Sequence, residues 1–345
     1  MRLHRELYKT GTFEIHIHPE RNGAFDFLQK NCFIVINRDG NKSGIVRDFY
    51  ISEARGKQEV VILGTTGDGM TRRRTVVPPT AAQVPGSLGW DRVRGNAETV
   101  IKHYAARHMT APFDAVRRID NLMLAENQHR GDTFPWQARF QYLHEVLENI
   151  GLFSNMGYFI HADVVNKRWV FDVIPGADRS QSQRVNDPVL FKMEYSNIEE
   201  YRYTEDRQNY RNTAYVGGRG EDENRLVFVL GAENRGLDRR EVFIDCSGAE
   251  NIDELIHQGS HRLAEYYEAK TVEVLALPRT FIFEQDYFLG DIVTVYISRL
   301  GLSLDTRITS VRETWERNTG HTIEARFGDR LPNIFTVLSQ QEVVR

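Results

Sequence analysis

Gly64, Gly69, Met70 and Thr71 come close to the pattern that cradles nucleotide phosphates, G-x-x-x-x-G-K-[ST], with methionine in place of the lysine. In a true phosphate loop the lysine neutralises the β- and γ-phosphates, and a long helix begins at the loop with its N-terminus aimed at them. Here Pro78 and Pro79 stop any helix within two turns. The preceding apolar runs read as antiparallel strands rather than as part of a βαβ unit. The expected structure is a tight turn leading into a short helical turn.

The other reactive side chains give no stronger pattern. His16 and His18 lie two apart on a strand and share a face with Glu14, which reads as a solvated polar face. His257 and His261 lie one helical turn apart, but the intervening Gln258-Gly259-Ser260 lacks the glutamate of H-E-x-x-H. Cys32 and Cys246 are far apart and read as free or buried thiols of a reducing compartment. There is no G-x-S-x-G elbow. Asp114 with Asp120, or Asp238 with Glu241, has no spacing that singles out an acid–base pair. No catalytic residue, cofactor or metal site is therefore expected. Two basic runs remain, Arg72-Arg73-Arg74 and Arg235, Arg239 and Arg240 around Gly236-Leu237-Asp238. Acidic neighbours and a formal net charge of −4 read them as interface or surface salt bridges, with no footprint for generic nucleic-acid binding.

These residues must be positioned by a β-rich chain. Its 345 residues suit two or three domains, and 41% hydrophobic with 27% charged residues is the balance of a soluble globular protein. The first residues have no apolar core of signal-peptide length, and no run approaches the roughly 18 apolar residues of a membrane span. Synthesis in the cytoplasm without export is expected.

Period two in Gly11–His18, then the runs Cys32–Asn37, Ile45–Ser52 and Glu59–Leu63, predict an antiparallel meander that favours a sandwich or barrel. A helix is expected after an Asn96 N-cap, and a second over Ala138–Ile150, with Phe140, Leu143, Leu147 and Ile150 on one face and Gly151 as its stop. Strands Gly157–Val165 and Arg168–Ile174 follow. Later come a hairpin of Asn212–Gly217 with Arg225–Gly231, and a helix with an Asn251/Glu254 capping box and a Leu255, Leu263, Tyr266 stripe. Strands Thr271–Ala276, Thr280–Glu284, Asp291–Ile297, Asp305–Glu313 and His321–Phe327 close the chain.

Four stretches in this order resemble a known family. They are Gly11–Ile17 with Asn31–Asn37 and Gly44-Ile45-Val46; the glycine turn Gly64 and Gly67 with Arg74, Val76, Val77 and Pro78; Ala97–Lys102 with Arg117-Arg118-Ile119; and Asp286–Val295 with Thr306–Thr309 and Ile323–Gly328. The chain resembles the baseplate hub, or tail-associated, proteins of siphophages and prophages of Gram-positive bacteria. In many members a leucine-rich helical turn follows the first glycine, where this chain has Thr65–Met70.

The resemblance implies an α+β, mainly β fold: two tube-type antiparallel β-barrel domains with an α/β domain between them. The expected division is 1–95, 96–190 and 191–345, with strands after 191 available to complete the first barrel. It implies a virion structural protein of the tail tip, assembled in the host cytoplasm and not an enzyme. Three copies would form a hub joining the tail tube and distal tail protein to receptor-binding or fibre proteins. Tape measure and DNA would pass through its lumen without specific binding, which a net-acidic chain suits. Since the sequence stops at Arg345, a cell-wall hydrolase is expected on another chain. The expected interface residues are Phe13, Ile15 and Ile17, Arg72, Arg73 and Arg74, Arg239 and Arg240, and Ile292, Thr294 and Tyr296. The alternative is a carbohydrate- or cell-surface-binding tail module using Trp136 or Trp169, for which core packing is the ordinary role.

Overall fold

The computed structural model describes residues 1–21, 23–26, 32–54, 57–86, 89–249, 251–263, 266, 269–277, 280–317 and 320–328. In chain order the first strands are β1 (Arg2–Glu6), β2 (Thr12–Ile17), β3 (Phe33–Ile36), β4 (Asp39–Ala54) and β5 (Lys57–Thr66). The middle holds β6 (Asp91–Asn96), α1 (Ala97–Ala105), β7 (Leu122–Leu124), β8 (Thr133–Ala138), α2 (Leu143–Ser154), β9 (Gly157–Asp163), β10 (Arg168–Ile174), β11 (Asp178–Arg179) and β12 (Leu190–Lys192). Then come β13 (Ile198–Asp206), β14 (Thr213–Gly217), β15 (Val227–Leu230), β16 (Glu241–Asp245), α3 (Ile252–Leu263), β17 (Ala269–Ala276), β18 (Ile292–Ile297), β19 (Leu302–Glu316) and β20 (Gly320–Phe327).

The two expected barrels are not there. Among the described residues no sheet closes on itself. Instead, strands from both β-rich regions share one open sheet of order β13-β17-β20-β19-β1-β2-β5-β4-β3, with β11, β12 and β18 branching from it. The reason lies in β19. Its first residues pair with β18, from Leu302 against Ile297 to Arg307 against Ile292. Its later residues are flanked by β20 and β1, with Val311 opposite both Ala325 and Arg5. The edges that would close each half are thus used to join the halves.

Period two is realised as read. In β2, Phe13 is buried with Leu3, Val60 and Ile62, and Ile15 and Ile17 pack against the same cluster. A second cluster under β17–β20 gathers Val272, Val274, Ile308, Val311, Ala325 and Phe327. Thr280–Glu284 is not a strand. Only Phe283 bridges to Tyr287, and Glu284 takes φ 66°.

The middle segment packs α1 and α2 against β9 and β10 through Val100, Ile101, Tyr104, Leu147, Ile150 and Phe171. The Asn96 side chain accepts the Thr99 N–H at 3.0 Å, the expected N-cap. α2 starts five residues later than its periodicity suggests. The Phe140 N–H donates to Val76 O at 2.6 Å and the Val76 N–H to Gln141 O at 2.9 Å, so this stretch is held out of the helix. Phe140 lies at φ 52°, exposed. Gly151 stays inside the helix, and Asn155, left-handed at φ 53°, ends it.

The hairpin of β14 with β15 is present, and β16 joins β14 in parallel. This small sheet packs Ala214, Val216 and Ile244 under Leu255 of α3. Tyr266 lies beyond the end of α3, and the Glu254 side chain of the expected capping box lies outside the described residues.

Where β1, β4 and β19 meet, four charges alternate. Arg5 contacts Glu284 at 2.7 Å and Glu313 at 2.6 Å, and Lys42 contacts Glu284 at 2.9 Å and Glu313 at 2.7 Å. The Glu313 side chain is fully buried. Removing one cation would leave a buried carboxylate short of a partner, which typically costs about 3–5 kcal/mol. Arg5→Met is therefore expected to lower the unfolding free energy by about that amount in denaturant titration. An unchanged midpoint would show that Lys42 and His321, which lies 3.1 Å from Glu313, compensate it without Arg5.

Candidate functional site

The glycine turn is a packing element. Gly67–Arg73 forms a 3-10 helix whose first five residues are buried. A Cβ on Gly67 would sit 2.1 Å from Ile160 O, and one on Gly69 would sit 2.0 Å from Thr65 Oγ1. Both glycines permit close approach of neighbouring chain, and no phosphate has room over them. The buried Asp68 carboxylate accepts the Thr66 hydroxyl at 2.7 Å and the Ile160 N–H at 2.6 Å, tying this turn to β9. Burial pushes Asp68 up to about 7, against the hydrogen bonds that favour its charge.

His16 lies between Glu14 and Glu59, with Nδ1 2.9 Å from Glu59, on an exposed face. His18 Nδ1 lies 3.3 Å from the Glu20 N–H. The His257 and His261 side chains lie outside the described residues. Cys32 and Cys246 are free thiols. Among the described residues no three His, Cys, Asp or Glu side chains are grouped to hold a metal, and no helix is long and apolar enough to cross a membrane. Trp136 is buried at 1% exposure against Phe134 and Phe153, which removes it from the carbohydrate-binding alternative. Trp169 is half-buried and meets Phe33 edge-on.

One polar cluster escaped the sequence reading. Asp91 of β6 contacts His103 Nε2 at 2.9 Å and His108 Nε2 at 3.0 Å, while the Tyr104 hydroxyl donates to Asp91 O at 2.8 Å. His103 and His108 are five apart, a spacing that ordinary helix periodicity does not place together. A π-turn over Ala106–Thr110 continues α1 and makes the juxtaposition. Burial raises Asp91, but the hydrogen bonds and charge of the two histidines outweigh it and hold the carboxyl at about 2. Burial pushes His108 down. The cluster fastens β6 to α1. A second buried group, Lys102 between Glu98 at 2.7 Å and Asp172 at 3.0 Å, fastens α1 to β10.

The expected interface residues fall into three places. Phe13 and Thr294 are buried within the chain, and Ile15, Ile17, Ile292 and Tyr296 are half-buried in interior strands. Arg72 and Arg73 are exposed beside the glycine turn, whereas Arg74 donates to Arg117 O at 3.0 Å. Arg239 and Arg240 lie on the β14–β16 module. Arg239 pairs with Glu241 and stands over the Tyr215 ring at 5.9 Å; Arg240 stands over Tyr210 at 5.8 Å. The outer face of that module exposes Tyr215, Phe243 and Val227, flanked by the Arg239–Glu241 and Arg225–Asp245 pairs. An apolar centre with a charged rim is the anatomy of a protein interface. The sequence reading singled out neither these outward aromatics nor the pairing of the rim charges; the alternation of Tyr215 with buried Ala214 and Val216 is the signal that could have found the first.

Two stability measurements follow from the buried acids. Asp68 holds a proton in the folded chain between about pH 4 and pH 7 that the unfolded chain has lost. Its stabilising share is thus present at low pH and falls as pH rises through that window. The wild-type unfolding free energy, minus that of Asp68→Asn, should decline across it; a flat difference would contradict the raised pKa. Asp91 works in the opposite sense: its share is present above the ordinary aspartate range and is lost as pH falls toward about 2. Asp91→Asn should cost about 1–3 kcal/mol at neutral pH, and a neutral result would show that the histidines find other partners.

The family described as Siphovirus ReqiPepy6 Gp37-like protein matches residues 1–329. No curated protein matches the chain. Among solved structures, the tail protein from Neisseria meningitidis MC58 is similar with a TM-score of 0.55 at 16% identity, over 95% of this chain and 91% of that one. The prophage MuSo2 43 kDa tail protein from Shewanella oneidensis is similar with a TM-score of 0.54 at 11% identity, over 94% of this chain and 92% of that one. At such identities the likeness is one of fold. The open sheet joining both ends of the chain, the packed glycine turn and the α/β unit between them are thus the fold of a phage-type tail protein, and the chain belongs to the Siphovirus ReqiPepy6 Gp37-like family.

Proposed function

We propose that this protein is a structural component of a phage tail tip, acting mechanically rather than by catalysis. Three copies form a ring that joins the tail tube and distal tail protein to receptor-binding or fibre proteins. The ring surrounds the path taken by the tape measure protein and then DNA. The protein is carried in the virion after assembly in the host cytoplasm.

The observation that carries this reading is the family match over residues 1–329 of 345. The fold shared with two tail proteins supports it. Ring assembly needs one surface patch to meet a different patch on the next copy, repeated about one axis. The exposed Arg72 and Arg73, and the Tyr215–Phe243 face beside Arg239, are the surfaces proposed for contacts with copies or with other tail components.

One chain is 39.9 kDa. The purified protein, mixed with its distal tail protein, is expected to show three copies, about 120 kDa of this chain, in a ring with a central opening. Mass measurement with negative-stain imaging reads both. A compact twofold dimer without an opening would overturn the hub reading.

A further inference from the structure

We propose that residues 331–338, which follow the last strand, fold back onto a cavity at the seam between the large sheet and the α/β unit and plug it with Ile334 and Phe335. The occupant is this chain's own tail, and the inference stands independently of the tail-tip reading.

The cavity has a volume of about 280 Å³. Its apolar wall comes from both sides of the seam. Phe159, Ile174 and Pro175 belong to β9, β10 and the turn after it, and Phe288 and Leu289 to the turn before β18. Pro175 and Phe288 are exposed, and Phe159, Ile174 and Leu289 are half-buried. The polar floor is already satisfied. Arg5 pairs with Glu284, and Asp68 takes the Thr66 hydroxyl and the Ile160 N–H. What stays open is hydrocarbon, just below the roughly 300 Å³ at which small-molecule pockets begin. That space suits one or two large apolar side chains.

The chain delivers such side chains to the rim. Gly328, the last described residue, donates its N–H to Arg307 O at 3.0 Å. The guanidinium of the same Arg307 donates to Gly290 O at 2.5 Å and lies 3.4 Å from Pro175 O. Pro175 lines the cavity, and Gly290 directly follows Leu289, which lines it too. An extended chain spans roughly 20 Å over the six residues from Gly328 to Ile334, ample for this approach. No charged residue stands between Arg330 and Glu342, so this stretch enters an apolar site without desolvating an ion. Leu331, Ile334, Phe335 and Leu338 stand at i, i+3, i+4 and i+7, the spacing with which a helix lays one apolar side into a groove. Pro332 is tolerated in the first turn of such a helix. Tethering makes the contact intramolecular, at an effective concentration of about millimolar, which a second copy or a free peptide does not reach in dilute solution. A seated tail would strap the α/β unit to the sheet, since the wall it covers belongs to both.

The test asks whether the mouth is covered. Phe288→Cys in a Cys32→Ser background places one reactive thiol there, because Cys246 is buried. With the tail seated, a maleimide should label the full-length protein at least ~10-fold more slowly than the same protein carrying Ile334→Asp and Phe335→Asp. Val343→Asp with Val344→Asp, beyond the apolar stripe, should keep the slow rate. The slow rate should also survive dilution, because the tail belongs to the same chain.

Equal labelling with and without the two aspartates in the stripe would overturn the proposal. Protection that vanishes on dilution would overturn the assignment to the chain's own tail and give the cavity to the tail of a second copy. If Phe288→Cys does not fold, the otherwise wild-type chain decides. Ile334→Asp with Phe335→Asp should lower its denaturant midpoint, and Val343→Asp with Val344→Asp should not. An unchanged midpoint for the first pair would overturn the proposal.

Discussion

The pairing of β1 with β19 is the contact on which the rest of this structure depends. Arg2 to Glu6 lies against Thr314 to Ser310, so the first strand of the chain is held between one of its last strands and β2. Everything between those strands must leave the sheet and return to it. Closing so long a loop carries a large entropic cost that grows only slowly with further length, so the insertion of whole modules is tolerated. The join is made specific by the buried Glu313, which lies between Arg5 and Lys42. A one-residue slip of β1 would turn Leu3 and Arg5 to solvent and bring His4 against Glu313, losing both the apolar contact and the charge match.

The α/β unit is anchored to this frame by small residues and buried polar groups together. Gly67 lets the turn after β5 approach the backbone of β9, and Asp68 then takes the Ile160 N–H. Leu7 continues the join, since the Tyr158 N–H donates to Leu7 O at 3.2 Å. A loop that resembles a phosphate cradle in its letters is thus specified by backbone proximity. The same glycines that would admit a ligand elsewhere admit a neighbouring strand here.

Charge is distributed by depth. Inside, Glu313, Glu98 and Asp91 each sit between two or more donors, and they fix which elements meet. Outside, arginine and glutamate alternate across strands in pairs that contribute little to stability. The inner groups hold the modules together, and the outer ones set what the surface attracts.

Local order was legible in the sequence wherever one physical rule acted alone. Period two located β2, β4, β5, β18 and β20, the Asn96 cap located α1, and the two prolines after the glycine turn excluded a phosphate-loop helix. The ordered set of strand and turn phrases also carried the family. Tertiary structure decided what depended on distant partners. Phe140 has helical spacing, yet two backbone hydrogen bonds between its stretch and Val76 hold it out of the helix, and they outweigh one apolar position. The halves open and merge rather than close into two barrels, because strand pattern fixes which face of a strand is buried but not which strand lies beside it. The Asp91 cluster needed a π-turn that no residue type announces. Burial and pairing, which set Asp68 near 7 and Asp91 near 2, exist only once the chain is folded.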